Sequence, residues 1–512
     1  MHFSSTRRAL LQGLGATTLA ALVEARANAA SLAPLRLPRV ATASWVEVEN
    51  ARPGDATWLA GDGAPAGTLE AYTDTPSLAL GETLSVFVSS TTARLTAKIY
   101  RVGYYQGLGA RLIETINDIA AHVRVVPAPD ALGTVDCDWP VTFRLELDAR
   151  YLPGQYLIRL ENPAGRFRFV PFLVRDDAST ATFLYLSAVT TWQAYNTWGG
   201  FSLYRQSDVT GDTIISNANR AVRVSFNRPY ARSFANGAAD FIGNEFPLLF
   251  LAESLGLDLA YWTDLDLHEK GSAISRHRAV LSLGHDEYYS GPMRDALVGA
   301  VANGVNVAFF GANFIFRKIR FEPSVNGELR LMVNYRSTAD PIMATDPSLA
   351  TVNWASYPAD APSSTFSGSS YGGAQGIGSL SVADAATWFW RGSGVEDATV
   401  LADALGGEFN RFNPLEPNPS SVQIFAHSVV GGGVSDVTYS AELGRGGVWC
   451  SGTGQWIFHL SNAPRLGGHW VPDAMPATAA LRTATQNLLA LFAQGPAGDS
   501  APSRDNTALF YG

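Results

Sequence analysis

Residues 278–313 read RAVLSLGHDEYYSGPMRDALVGAVANGVNVAFFGAN. The stretch opens on a nearly continuous apolar run, 278–284, as expected of a strand buried on both faces. Residues 290–304 have helical spacing, with Pro292 in the first turn and Gly304 as the stop. Residues 305–313 read as a strand again. A strand–helix–strand crossover is right-handed and returns the chain parallel. Both strand ends then open on the same edge of the sheet, which is where open parallel sheets bind ligands. GHDEYY lies just past the first end, and Asn313 stands at the second.

The same alternation extends outward. TFLYLSAV (182–189) and LDLAYWTD (257–264) read as strands, and EFPLLFLAESLG (245–256) as a helix. The pattern predicts an α/β region over 177–512 with an open, mostly parallel sheet of the glutamine-amidotransferase or flavodoxin-like kind. TTWQAYNTWGG (190–200) follows the first strand and delivers Trp192, Tyr195 and Trp198 to the same rim. Past residue 335 the signal weakens. Residues 360–384, rich in Ser and Gly, read as a long loop. TVLADALGGEF and LGRGGVWCSGTGQWIFHL suggest further strands in a β-rich extension, and ATAALRTATQNLLALFAQG a closing helix.

Upstream the period changes. TLSVFVSS, LTAKIYRVG, VTFRLELDA, GQYLIRLEN and RFRFVPFLV are short runs with partial alternation, separated by turn residues. They predict an immunoglobulin-like β-sandwich over 30–176. Gly154 and Tyr156 have the spacing at which a tyrosine hydroxyl pins a corner between sheets.

The chain has 512 residues, 46% hydrophobic and 16% charged, so it is globular and long enough for two or three domains. Its net charge is −9 and no dense basic run follows the N-terminus, which argues against a nucleic-acid partner. Its two cysteines, Cys137 and Cys450, exclude a disulfide scaffold and read as small buried hydrophobes. Residues 1–29 combine Arg7 and Arg8, a mild apolar segment and an Ala-Asn-Ala cleavage pattern. They read as a bacterial twin-arginine export signal, too short and weak for a membrane anchor, and place the mature chain in the periplasm or outside the cell.

In extended backbone His285 and Glu287 share a face, with Asp286 and Tyr288 turned away. His-Glu-x-x-His, clustered His and Cys, and glycine-rich phosphate loops are all missing. GSSYG (368–372) lacks the strand before and helix after that a nucleophile elbow needs.

TTWQAYNTWGG, VSFNRPY, LSLGHDEYYS and FFGANFIFRKIRFE, in this order, resemble the catalytic region of the N,N-dimethylformamidase large-subunit family. IYRVGYYQGLGARL and VDCDWPVTFRL are similar to the β domain that precedes it, and GTGQW also matches. The resemblance implies an iron-dependent hydrolase of the C–N bond of a small amide. It implies a mononuclear iron, as Fe(III), held by Tyr195, Tyr230 and Glu287, with His285 and Asn313 beside it. Phenols ionise near pH 10 unless a strong Lewis acid adjoins them, and a set of hard oxygens disfavours zinc and copper. His285 suits a proton carrier and the Asn313 amide a donor to an oxyanion. Trp192, Trp198 and Phe314 are expected to wall a small apolar pocket. A small-subunit partner or a homo-oligomer is part of the same expectation. The rival readings are a tyrosinate-iron oxygenase and a non-catalytic exported protein that binds surface glycans through its aromatics.

Overall fold

A computed structural model describes residues 41–464 and 478–512; the export signal read at 1–29 lies outside them. The chain is sheet-rich. Its largest sheet has seven strands, in the order Leu259–Thr263, Phe183–Ser187, Ala279–Ser282, Asn306–Phe309, Val448–Cys450, Gly433–Ser440, Gln423–Val430. The first five run parallel and the last two are antiparallel. The four strands read from the sequence are buried along their whole length, which is why they are apolar without alternation. Val280 and Val307 face one core while Leu281 and Ala308 face the other. Each such valine or leucine contributes about 1.5–3 kcal/mol on burial.

The crossover follows the sequence closely. Helix Gly291–Ala302 starts where Ser290 Oγ accepts from the Met293 amide at 3.4 Å, and it buries Met293, Leu297, Ala300 and Val301 against the sheet. Its strands are hydrogen-bonded neighbours with Ser282 opposite Phe309, so GHDEYY and Asn313 leave the sheet side by side. Two glycines make that closeness feasible. A Cβ on Gly284 would lie 1.9 Å from Asn244 O, and one on Gly311 would lie 2.1 Å from Gly284 O.

Ahead of this region lie a three-stranded sheet, Leu69–Thr73, Thr83–Ser90, Phe143–Glu146, and a five-stranded one, Ser77–Ala79, Phe167–Arg175, Gly154–Glu161, Arg94–Val102, Ala110–Ala120. Their facing apolar residues form a separate core. Tyr156 Oη donates to Leu152 O at 2.7 Å and accepts from Leu152 N at 3.0 Å, the pin that the Gly154–Tyr156 spacing predicts. Buried ion pairs join this part to the large sheet's helices: Arg101 to Glu253 at 2.8 Å and Arg175 to Asp266 at 3.1 Å. Cys137 and Cys450 are free and buried, as expected of small apolar residues.

One expectation fails. The Ser- and Gly-rich stretch is not a long loop; Ser370–Ser381 is a strand paired antiparallel with Val400–Arg411. Only Ser370 and Leu380 of the first strand are buried, so it needs no apolar alternation and leaves little trace in the sequence. GSSYG enters this strand and forms no elbow. Among the described residues no helix is long and apolar enough to cross a membrane.

Candidate functional site

Three segments meet at the rim where the parallel strands end. Helix Val189–Tyr195 follows strand Phe183–Ser187 and carries Tyr195 on its last turn. Its start is anchored by Glu245, which accepts from Ser187 Oγ at 2.7 Å, Ala188 N at 2.9 Å and Trp192 Nε1 at 2.9 Å. Burial outweighs these donors and pushes the Glu245 carboxyl up to about 8. Thr191, on the same helix, accepts from the Glu287 amide at 2.9 Å. The Glu287 carbonyl accepts from the amides of Phe316 and Arg317, both at 3.0 Å. The backbone of Glu287 is thus fixed from two sides.

Its side chain, 1% exposed, is the focus of the site. Tyr195 Oη donates to it at 2.8 Å, Tyr204 Oη at 2.6 Å and Arg317 Nε at 3.2 Å. The two phenol rings stack at 4.2 Å, and the Arg336 guanidinium covers Tyr204 at 4.2 Å. Burial first, and then the Glu287 charge, hold both phenols well above their ordinary range, so each is a neutral donor.

His285 Nε2 lies 3.6 Å from Glu287 Oε2, as the shared face predicts, and 3.1 Å from Glu408 Oε2. Burial disfavours its charge, but Glu408 and Glu287 more than offset this and raise the imidazole to about 9. These two carboxylates favour the protonated imidazole. Burial acts to raise Glu408, yet His285, Asn313 and Tyr371 together hold it below its ordinary value. Asn313 sits at φ +56° with its amide N–H on Asn410 Oδ1 at 2.7 Å, and its own Oδ1 is buried without a partner. Behind this layer, Asp286 accepts from Ser282 and Tyr289, both at 2.6 Å. Tyr288 and Tyr289 are buried, as packing residues should be.

The groups line a pocket of about 310 Å³, closed on the far side by Tyr371, Gln375, Glu408, Gln455 and Phe458. Of the residues read from the sequence, Tyr195, His285, Glu287 and Asn313 come together here. Tyr230 does not. It packs edge-on to Trp192 at 6.4 Å and lines a different, smaller cavity. Tyr204 stands where a second phenol was expected. The aromatic wall is also different. Trp192 faces that smaller cavity, Trp198 packs on Trp139 at 5.9 Å, and Phe314 stacks on Phe309 at 4.0 Å inside the core. Tyr204 and Glu408 are the residues that sequence reasoning missed. The GGEF segment was read as a strand, but the partner strand that aims Glu408 inward was not.

Among the described residues no group of three or more His, Cys, Asp and Glu side chains is placed to hold a metal. The cluster here is of another kind: two phenols and one carboxylate, all hard oxygens. Cis oxygen ligands of a small octahedral cation stand about 2.8–3.0 Å apart. The phenol–carboxylate spacings of 2.8 and 2.6 Å are close to that, and Asn313 Oδ1 is an unpaired acceptor in the same pocket. The residues fit a small, hard, highly charged cation.

No curated protein matches the chain. Among solved structures it is compared with a Paenibacillus sp. cycloisomaltooligosaccharide glucanotransferase complexed with cycloisomaltoheptaose, at 10% identity and a TM-score of 0.15. That match covers 63% of this chain and 62% of the other, less than two thirds of its length, and so weak a likeness carries no argument. The family described as N,N-dimethylformamidase beta subunit-like, C-terminal, matches residues 96–468, which include both phenols, Glu287, His285, Asn313 and Glu408. With most of its length matched, the chain belongs to that family.

Proposed function

We propose that this chain is an iron-dependent hydrolase that cleaves the C–N bond of a linear amide, with Tyr195, Tyr204 and Glu287 as the protein ligands of one ferric ion. The observation that carries this reading is the convergence of two phenols on one buried carboxylate beside a His–Glu pair. When bound, such an ion supplies a Lewis acid for the amide carbonyl and an acidified water.

The remaining work falls to this chain's own groups. His285, beside Glu287 and paired with Glu408, is placed to be the proton source for the departing amine nitrogen, which must leave protonated. Glu408 holds the imidazole in place and stabilises its charge. The Asn313 amide has two N–H donors; one is given to Glu408 and the other is left for the carbonyl oxygen as negative charge develops. Tyr371 and Phe458 supply the apolar wall that the sequence assigned to Trp192, Trp198 and Phe314. Arg317, on Glu287, offsets the negative charge collected in the pocket.

The finer fold reading, an immunoglobulin-like sandwich over 30–176 before a flavodoxin-like region over 177–512, belongs to this proposal, as does export guided by residues 1–29. The family's description as a beta subunit supports a further chain in the working assembly.

The test is release of formate or amine from a panel of linear amides, together with metal analysis of the full chain. The expected result is bound iron with a visible phenolate-to-metal band that is lost in Tyr204→Phe, and turnover that is lost in His285→Ala. Iron-free protein with no turnover of any amide after reconstitution with iron sinks the reading.

A further inference from the structure

Several deeply buried arginines among the described residues are paired. Arg101 meets Glu253 at 2.8 Å and Arg168 meets Glu70 at 3.0 Å. Arg228 and Arg330, 1% and 4% exposed, break the rule: among the described residues neither contacts a carboxylate. Burying an unpaired charge is costly, so such a pair needs an explanation.

The two differ in what they have left to give. Arg228 spends every N–H on acceptors: Gln193 Oε1 and the carbonyls of Ser225, Trp198, Phe201, Gln193 and Asn196. It contributes charge and no free donor. Arg330 gives Nε to Asn227 Oδ1 at 2.7 Å and Nη2 to Thr73 O at 3.1 Å, which leaves Nη1 without an acceptor among the described residues. Asp74 and Asp136 act on it only at a distance. Both guanidiniums line one cavity of about 30 Å³ at the seam between the N-terminal sheets and the large sheet. Tyr230 lines it too, and its hydroxyl makes no hydrogen bond to a described residue. Spare donors on Arg330 and Tyr230 and uncompensated positive charge thus meet in a space about the size of one water or one monatomic ion.

We propose that this seam cavity binds a single chloride-sized anion, held by Arg330 and Tyr230 in the field of Arg228. The ion offsets buried charge where Thr73 and Gln155 of the N-terminal sheets meet Trp192 and Tyr230 of the catalytic part, and so fastens the two together. The rival occupant is a water. Gln155 Oε1, buried without a partner on the same wall, favours a water that donates to it.

Anomalous scattering separates the two. Crystals of the full chain soaked in bromide should show a peak between Arg330 and Tyr230. In solution, thermal unfolding in chloride should lie about 1–2 °C above that in gluconate of equal ionic strength, once chloride exceeds its Kd about tenfold. Arg330→Met should abolish the chloride shift. Because that variant could fail to fold, Tyr230→Phe, which removes only one hydroxyl, is the second arm and should weaken chloride roughly 2- to 10-fold. A cavity with no bromide peak, or superimposable chloride and gluconate curves for the wild type, overturns the proposal in favour of water.

Discussion

Two cavities adjoin the helix Val189–Tyr195, and they have opposite character. The larger one, at Tyr195, gathers the carboxylates Glu287 and Glu408 and has room for a small organic molecule. The smaller one, at Trp192, gathers the guanidiniums Arg228 and Arg330 and has room for one atom-sized guest. Each contains tyrosine, and the neighbours decide what that tyrosine does. Tyr195 and Tyr204 donate to a carboxylate that could share a cation with them, whereas Tyr230 shares its cavity with two guanidiniums that touch no carboxylate among the described residues. A motif match alone does not distinguish these two settings; the surrounding charge does.

That contrast can be broken by mutation. The largest effect is expected at its focus: Glu287→Ala should remove bound iron and lower kcat/KM for an amide substrate by more than about 1,000-fold, measured with metal content on the same sample. Next, Tyr204→Phe should reduce iron affinity roughly 100-fold while Tyr230→Phe keeps both iron and the phenolate band. The reverse outcome would return the second phenol to Tyr230. Glu408→Gln should lower kcat about 100-fold with iron retained, since it acts through His285, and metal loss there would show that Glu408 holds the ion instead.

The smallest effect concerns stability. Burial raises the Glu245 carboxyl to about 8, above its unfolded value of 4.5. Its contribution is therefore complete below about pH 4.5 and declines as pH rises through about 8. Unfolding free energy measured by denaturant titration should fall over that window in the wild type, and Glu245→Gln should flatten the slope. An unchanged slope would assign the pH dependence to another group.

Much of this organisation was legible in the sequence, for physical reasons that also mark where legibility ends. The parallel strands are buried on both faces and the crossover helix is capped at both ends, so local signals agree with the fold. His285 and Glu287 were readable as a pair because alternation in extended backbone is a local rule. Tyr204 was not readable. It follows a Gly199–Gly200 turn with φ of +84° and +104°, in a segment without period, and no spacing rule predicts that the chain doubles back to stack its ring on Tyr195. Glu408 depends on a ribbon whose other strand carries almost no apolar pattern, and its register, Gln375 opposite Glu408, is set by contacts that only the folded chain makes. Trp198 and Phe314 were misassigned because a large aromatic near a site is as often core as wall, and their buried ring partners decide the matter.

The glycine contacts beneath the site have a consequence for engineering. Gly284 and Gly311 touch backbone atoms of Asn244 and of each other so closely that no side chain can be added at either position without moving a main chain. The backbone that carries His285 and Asn313 is in that sense not designable. The opposite wall is: Tyr371 and Gln375 project from a two-stranded ribbon outside the parallel sheet, on the strand of which only Ser370 and Leu380 are buried. A library meant to change which amide is accepted should therefore vary Gln375 and its exposed neighbours on the ribbon, sparing Glu408 and the two glycines.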